Sequence, residues 1–426
     1  MPDLLAILRN RGFLQQATPG LAQRVEAGPI TGYVGFDPTA DSLHVGNLVP
    51  VMALAWLQRT GGTPIALVGG GTGMVGDPSG KRQERPVLPL EQIDANAAAI
   101  RRQLASFLSF SGGNAARMRN NADWLRTLGL MEFLRDVGKH FGVGAMLQKE
   151  SIRSRVGSED GISYTEFSYM LVQAYDFWHL FRTENCELQM GGSDQWGNIT
   201  AGIDLIGSRE RKAAHGLVTP LVTTATGTKF GKSEAGNVWL DATRTSPYHF
   251  YQFWLNADDR DVGRYLGLFT FLELDEIEQV LGEQAHDPSG RVAQRRLARE
   301  VTALVHGTGQ AAAAESASAA LFHPGGDSDP STLERIAVSD DIPTVHVPRA
   351  EIGDAAPLVD LLVRAGLATS KADGRRGIQG GGYYVNGEQV TDVHRQLTAD
   401  DFGTRDFVLL RKGKKNYVKL VRSTEQ

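Results

Sequence analysis

A histidine, two lysines and a carboxylate-bearing helix are the residues of this 426-residue chain best placed to do chemistry. His44 stands in Gly35-Phe36-Asp37-Pro38-Thr39-Ala40-Asp41-Ser42-Leu43-His44-Val45-Gly46-Asn47, where a predicted strand gives way to a turn and then to a helix starting near His44. Backbone N–H groups at a helix start, aligned with its dipole, favour a bound phosphate. Gly46 would leave room for a flat ring against the helix, and His44 could donate to a phosphate oxygen. Far along the chain, Gly227-Thr228-Lys229-Phe230-Gly231-Lys232-Ser233 sets two lysines around a glycine. Two ammonium groups on a flexible loop can follow the charge that grows on a departing pyrophosphate. Tyr169, Gln173 and Asp176 fall at i, i+4 and i+7, one face of a helix. Read singly, each has an ordinary alternative. The first is a strand-turn-helix connection capped by Asp41 or Ser42, the second a solvated loop, the third a partly buried face whose polar groups pair with one another. A helix-start phosphate site combined with a distant Lys-x-x-Lys loop is much rarer.

The elements that must carry these residues follow from hydrophobic patterning. Residues 30–36 and 64–68 are short apolar runs bounded by glycine or proline and read as buried parallel strands; 187–190 and 217–222 are further strand candidates. Residues 43–57 and 165–181 read as helices. Strand, helix, strand in this order predicts an α/β, doubly wound parallel-sheet (Rossmann-like) domain. From 247 to 322 the pattern is helical and alanine-rich. HPGGDSDPST, starting at His323, reads as a linker. Residues 357–365 look helical and 383–385 strand-like, ending in the turn Asn386-Gly387. The expected organisation is a catalytic domain with an insertion over 1–222, a linker with the KFGKS loop over 223–246, an α-helical domain over 247–322, a linker over 323–353 and a small α+β domain over 354–426.

Composition sets the outer limits. A formal net charge of -5 excludes a wholly basic, histone-like protein. The stretch from 404 to the end, however, holds seven basic and two acidic residues, a local basic patch suited to phosphates. The single cysteine, Cys186, cannot form a disulfide within one chain, which predicts a reducing, cytoplasmic location. The apolar stretch 48–57 contains Pro50 and is too short to span a bilayer, so no membrane is expected. One cysteine and ten scattered histidines give no zinc-ligand cluster, and no protein-held metal is expected.

HVGN and KFGKS resemble the two signature motifs of class I aminoacyl-tRNA synthetases, usually written HIGH and KMSKS. YVGFDPTADSLHVGN, GDPSGKRQER, GISYTEFSYMLVQAYDF, GGSDQWGNIT and GTKFGKS are together similar to the bacterial tyrosyl-tRNA synthetases, in the same order and over nearly the whole chain. The resemblance implies ATP as a substrate with Mg²⁺ as its counterion, tRNA(Tyr) as the acceptor, and a homodimer contacting through the segment 131–141. It implies that Tyr33 and Asp176 contact a tyrosine phenol, that Asp77, Tyr169 and Gln173 hold its ammonium, and that Asn121 supports the pocket. A carboxylate, an amide and a phenol on one helix face suit a zwitterionic amino acid with a hydroxyl tip. By the same likeness Gly35, Asp37, Thr39, His44 and Asn47 surround ATP, Asp194 holds the ribose and Gln195 lies near the reacting carboxyl group. Lys81, Arg85, Lys229, Lys232 and Ser233 fall to the β- and γ-phosphates.

Two positions depart from the family pattern. Asn47 replaces the second histidine of HIGH; it can still donate a hydrogen bond but cannot become cationic. The C-terminal segment from Ser370 to Gly387 resembles an RNA-binding module shared with a small-subunit ribosomal protein (an S-four-like fold). There Gly374, where the family has alanine, and Gly380-Gly381-Gly382 are expected to loosen the helix.

Overall fold

The computed structural model describes residues 3–75, 88–149, 152–153, 156, 161–228, 230–233, 236–321, 342–348, 352, 355–403, 407–413 and 416–423. Asp77, Lys81, Arg85 and Lys229 lie outside the described residues, and for Lys232 and Ser233 only the backbone is described. The chain divides into two compact units, Met1–Asp241 with Ala257–Ala293, and Ala242–Asn256 with Gln294–Gln426.

The first unit is built on a six-stranded sheet. Its strands are β1 (Gln16–Ala17), β2 (Thr31–Phe36), β3 (Thr63–Val68), β4 (Arg117–Asn120), β5 (Cys186–Gly192) and β6 (His215–Thr219), in the order β1-β6-β5-β2-β3-β4. All pair in parallel except the edge strand β1, which runs antiparallel to β6. The apolar runs of β2 and β3 have the continuous hydrophobicity of strands covered on both faces. β6 ends at Thr219, ahead of Pro220 and short of the expected 222. From β2 the chain winds outward to β3 and β4, then returns to the other side of β2 as β5. That reversal makes a crevice between the C-terminal ends of β2 and β5, where doubly wound sheets bind ligands.

Helix Leu48–Arg59 is buried along nearly its whole length. Pro50 costs it nothing, because the N–H groups of a first turn have no partner in the helix. The helix starts later than expected: Val45–Asn47 forms a 3₁₀ turn before it. The 21-residue helix Tyr164–Glu184 opens on a capping box, with Ser163 Oγ accepting from Glu166 N at 3.2 Å and Glu166 Oε2 accepting from Ser163 N at 3.2 Å. The N-terminal helix Leu4–Asn10 is tied in by Arg11. Its guanidinium lies 4.1 Å over the Trp56 ring and donates to Thr270 O (3.3 Å) and Leu272 O (2.5 Å).

The second unit contains helices Pro247–Leu255 and Thr308–Leu321 and a five-stranded sheet. Tyr248, Ala317, Ile342, Phe407, Leu409 and Tyr417 share one core. The helical stretch expected over 247–322 forms, but packing groups it differently from composition. Asp259–Phe269 and Leu274–His286 belong with the large sheet, whereas the flanking helices belong with the C-terminal strands. Strands Tyr383–Val385 and Glu388–Val390 are joined by Asn386 and Gly387, both at positive φ (48° and 85°), as a two-residue hairpin requires. Helix Lys371–Gln379 runs unbroken through Gly374, where a Cβ would meet only ordinary contacts. Gly377 is the sterically required glycine of that helix: a Cβ there would lie 2.4 Å from the Tyr383 ring.

Arg11→Met should remove the donors of two buried carbonyls and cost about 2–4 kcal/mol of stability, measured by urea unfolding followed through tryptophan fluorescence.

Candidate active site

Beyond the end of β2 the chain turns through Asp37 and Pro38 to His44, which caps the 3₁₀ turn. His44 Nδ1 accepts from Gly46 N at 3.0 Å, so the neutral ring carries its proton on Nε2. In return, Asn47 Oδ1 accepts from His44 N at 3.0 Å. Asn47 therefore keeps the histidine turn closed with its oxygen, and its Nδ2 is the donor it can offer a ligand. The space over Gly46, expected to admit a flat ring, holds the imidazole of His44 itself. A Cβ on Gly46 would lie 2.7 Å from His44 Cε1.

The distant glycine-lysine segment arrives at the same place. Val45 N donates to Val238 O (2.9 Å) and Leu240 N to Leu43 O (2.8 Å), while Val238 N donates to Gly231 O (3.1 Å). A Cβ on Gly231 would lie 3.1 Å from Val45 Cγ2 and 3.3 Å from Gly46 N, so the two glycines let the backbones touch. Trp239 sets its ring edge-on to His44, with centroids 6.0 Å apart. Between these contacts, Lys232–Ser233 pairs with Gly236–Asn237 as a short hairpin. The segment enters it through Phe230, stacked on Phe269 (5.3 Å) and tilted against Tyr265 (5.0 Å) of helix Asp259–Phe269. The same helix holds the loop further back, where Asp261 Oδ2 accepts from Ala225 N at 2.7 Å.

Across the crevice lies a buried polar pocket. Asp176 is 1% exposed; its Oδ2 accepts from Asn121 Nδ2 (2.8 Å) and its Oδ1 from Trp124 Nε1 (2.7 Å). Asn121 is fixed in turn by Gly71 N, donating to its Oδ1 at 2.7 Å, and by Thr72 Oγ1, accepting from its Nδ2 at 2.9 Å. Burial pushes the Asp176 carboxyl up to about 7, opposed by the two donors. Tyr33, 1% exposed and against Phe177, has its phenol raised well above the ordinary range by burial and then by Asp176. Its hydroxyl has no hydrogen-bond partner among the described residues. Two strand positions on, Gly35 is exposed although β2 is central, and a Cβ there would meet nothing within 4 Å. Tyr33 and Gly35 share a face, and at Gly35 that face is open to solvent.

At the other rim, Gln173 Oε1 accepts from Asn198 Nδ2 (3.0 Å) and Gln173 Nε2 donates to Gln195 Oε1 (3.3 Å). Tyr169 is buried on the same helix. Asp194 and Gln195 sit in the turn directly after β5. Asp37 reaches the glycine turn after β3, its Oδ1 3.4 Å from where a Cβ of Gly69 would be; Thr39 is exposed. Sequence reasoning missed Trp124, Thr72, Asn198 and Trp239. Trp124 had a signal, three residues after Asn121, but its partner is 52 positions away.

Residues 26–323 match the family described as tRNA synthetases class I (W and Y), and residues 334–420 the tyrosine–tRNA ligase SYY-like C-terminal domain. The chain is 59% identical to a tyrosine–tRNA ligase of Anaeromyxobacter dehalogenans over 418 residues, 98% of this chain and 99% of the relative. The chain belongs to the tyrosine–tRNA ligases. It is also 52% identical to the tyrosine–tRNA ligase of Geobacillus stearothermophilus, covering 97% of this chain and 98% of that one. A C-terminally truncated mitochondrial tyrosyl-tRNA synthetase from Aspergillus nidulans has the same fold, with a TM-score of 0.68 and 33% identity over 76% of this chain and 95% of that one.

The raised carboxyl has a testable sign. Because the folded chain holds Asp176 near 7, above its ordinary value of 3.8, its contribution to stability is full below about pH 4 and lost as pH rises through 7. Trp124→Phe removes one donor to the carboxylate, so in unfolding titrations from pH 4 to 9 this loss should extend to higher pH than in the parent protein.

Proposed function

We infer that this chain catalyses the tyrosine–tRNA ligase reaction at the crevice between β2 and β5. A tyrosine carboxylate attacks the α-phosphate of ATP, giving tyrosyl-adenylate and pyrophosphate; a terminal ribose hydroxyl of tRNA(Tyr) then attacks the mixed anhydride. The observation that carries the assignment is the meeting of the His44 turn and the 230–237 hairpin beside the Tyr33–Asp176 pocket.

The residue roles follow the chemistry of that geometry. The Asp176 carboxylate accepts from a substrate phenol and the unpartnered Tyr33 hydroxyl completes the contact. Phenylalanine would leave the buried Tyr33 hydroxyl without a partner and the Asp176 carboxylate with only its two protein donors, at a cost a hydrophobic pocket alone could not impose. Tyr169, Gln173 and Asp77 hold the ammonium, and Gln195 lies at the carboxylate. Gly35, Asp37 and Thr39 line the nucleotide, Asp194 takes the ribose, and His44 Nε2–H and Asn47 Nδ2–H donate to phosphate oxygens. Lys81, Arg85, Lys229, Lys232 and Ser233 supply positive charge and donors at the β- and γ-phosphates, chiefly to the transition state. Among the described residues no group of three or more His, Cys, Asp or Glu could hold a metal ion. Mg²⁺ enters with the nucleotide in this reading, as the counterion of its phosphates.

A homodimer is supported by apolar side chains left in solvent: Leu130 (70% exposed), Met131 (76%), Leu134, Val143 and Leu147. They lie on helix Leu130–Asp136 and the short helix Val143–Leu147, with a 3₁₀ turn between. The tRNA-binding role of the C-terminal unit is supported by exposed Arg375 and Arg376 on helix Lys371–Gln379. Among the described residues no helix is long and apolar enough to cross a membrane. The buried free thiol of Cys186 fits a reducing, cytoplasmic setting.

Exchange of labelled pyrophosphate into ATP should depend on tyrosine and not be supported by tryptophan; exchange driven equally by tryptophan would overturn the assignment. Asp176→Ala should lower tyrosine-driven exchange by more than about a hundredfold while equilibrium dialysis finds ATP binding unchanged. The double variant Arg375→Ala, Arg376→Ala should leave exchange intact and weaken charging of tRNA, with a shallower dependence of charging on salt.

A further inference from the structure

Helix Leu90–Leu104 carries none of the residues assigned above, yet two of its amides reach the histidine turn. Asn96 and Gln103, seven residues apart, share a helix face. Asn96 is 2% exposed and donates Nδ2 to Pro38 O at 2.8 Å, at the start of the turn. Gln103 grips the turn near its end: its Oε1 accepts from Leu43 N (2.8 Å) and its Nε2 donates to Ser42 Oγ (2.9 Å). Ser42, 4% exposed, donates Oγ–H to Leu43 O at 2.7 Å and accepts from Asp241 N at 3.2 Å. One donor and two acceptor positions are all a hydroxyl has, and here all three are filled. Asp241 ends the segment that leaves the lysine hairpin, and Leu43 O also receives Leu240 N (2.8 Å).

We propose that Gln103 is a positioning residue for amino-acid activation. Through Ser42 it holds the histidine turn and the exit of the lysine hairpin in one registration. The proposal rests on the reading that these two segments bind ATP. Gln103 meets one donor and one acceptor at once, which an amide can do and a carboxylate or hydrocarbon cannot. Misplacement by an ångström of groups that align reactants costs up to about a hundredfold in rate, and Gln103 sets the relative placement of both phosphate-binding segments. Its loss acts on the rate of the chemical step and leaves the tyrosine pocket untouched, since no hydrogen bond of this network involves Asn121, Trp124 or Asp176.

The test is a double-substitution cycle on the full-length protein, read by the single-turnover rate of tyrosyl-adenylate formation at saturating ATP and tyrosine. Gln103→Ala should slow that rate by roughly ten- to a hundredfold, with the equilibrium Kd for tyrosine changed less than about twofold. Gln103→Glu, which keeps the acceptor for Leu43 N and loses the donor to Ser42, should fall between. In a Ser42→Ala background, Gln103→Ala should cost less than about threefold more, because its route through Ser42 is already gone. An undiminished cost in that background, a parental rate in Gln103→Ala, or parallel losses of rate, tyrosine affinity and melting temperature would overturn the proposal. If Gln103→Ala does not fold, Gln103→Glu alone and with Ser42→Ala carries the same test. His44→Ala separates the two readings. An unchanged rate there defeats the ATP assignment of the turn, whereas a loss there with none in the Gln103 variants defeats only the positioning role.

Discussion

Two backbone hydrogen bonds between residues 43–45 and 238–240 are what the rest of the site depends on. They join two stretches nearly two hundred positions apart, and without them the histidine turn and the lysine hairpin are separate loops. Closing so long a loop is entropically costly, though the cost grows only logarithmically with length. The surrounding packing meets it. Helix Leu48–Arg59 is buried on nearly every side behind the turn, and Phe230 is clasped by Tyr265 and Phe269 ahead of the hairpin. The hairpin between these anchors is thus short, with Gly231 ahead of its first strand and Gly236 opening its second, both at positive φ (88° and 108°).

The pocket works by the opposite means, cost rather than contact. A carboxylate with 1% exposure stands beside a tyrosine hydroxyl that has no partner among the described residues. Burying such groups opposes folding unless they are paired. Burial raises the proton affinity of the carboxylate, and the donors Asn121 and Trp124 offset that rise only in part. In the proposed reading, a substrate phenol that pairs with both groups would recover part of that cost, which is how the pocket would favour tyrosine.

Much of the first unit was legible from pattern. β2 and β3 are short apolar runs, and residues 165–181 read as the long helix that the structure extends to Tyr164–Glu184. β4 was not legible, because Arg-Met-Arg-Asn has no hydrophobic run. It becomes a strand by lying against β3, with Arg117 and Arg119 paired to Glu184 at 2.7 and 2.5 Å. The division of helices was hidden for a similar reason: the pattern from 247 onward reads as helical with no marked boundary, whereas packing assigns its middle to one unit and its flanks to the other.

What the sequence determined by itself is chemistry and kind: which side chains can hold a phosphate or read a hydroxyl, and which family's motifs they spell. Order along a chain carries that information because local runs encode local structure. The tertiary structure alone decided which groups meet. The tautomer of His44 follows from Gly46 N, the oxygen of Asn47 is taken by His44 N, and Trp124 reaches Asp176 across 52 positions. Gln103 joins Ser42 from a helix that no motif marks. Such pairings depend on distances and angles fixed only when the sheet, its crevice and the surrounding helices pack together, so no spacing in the sequence could have shown them.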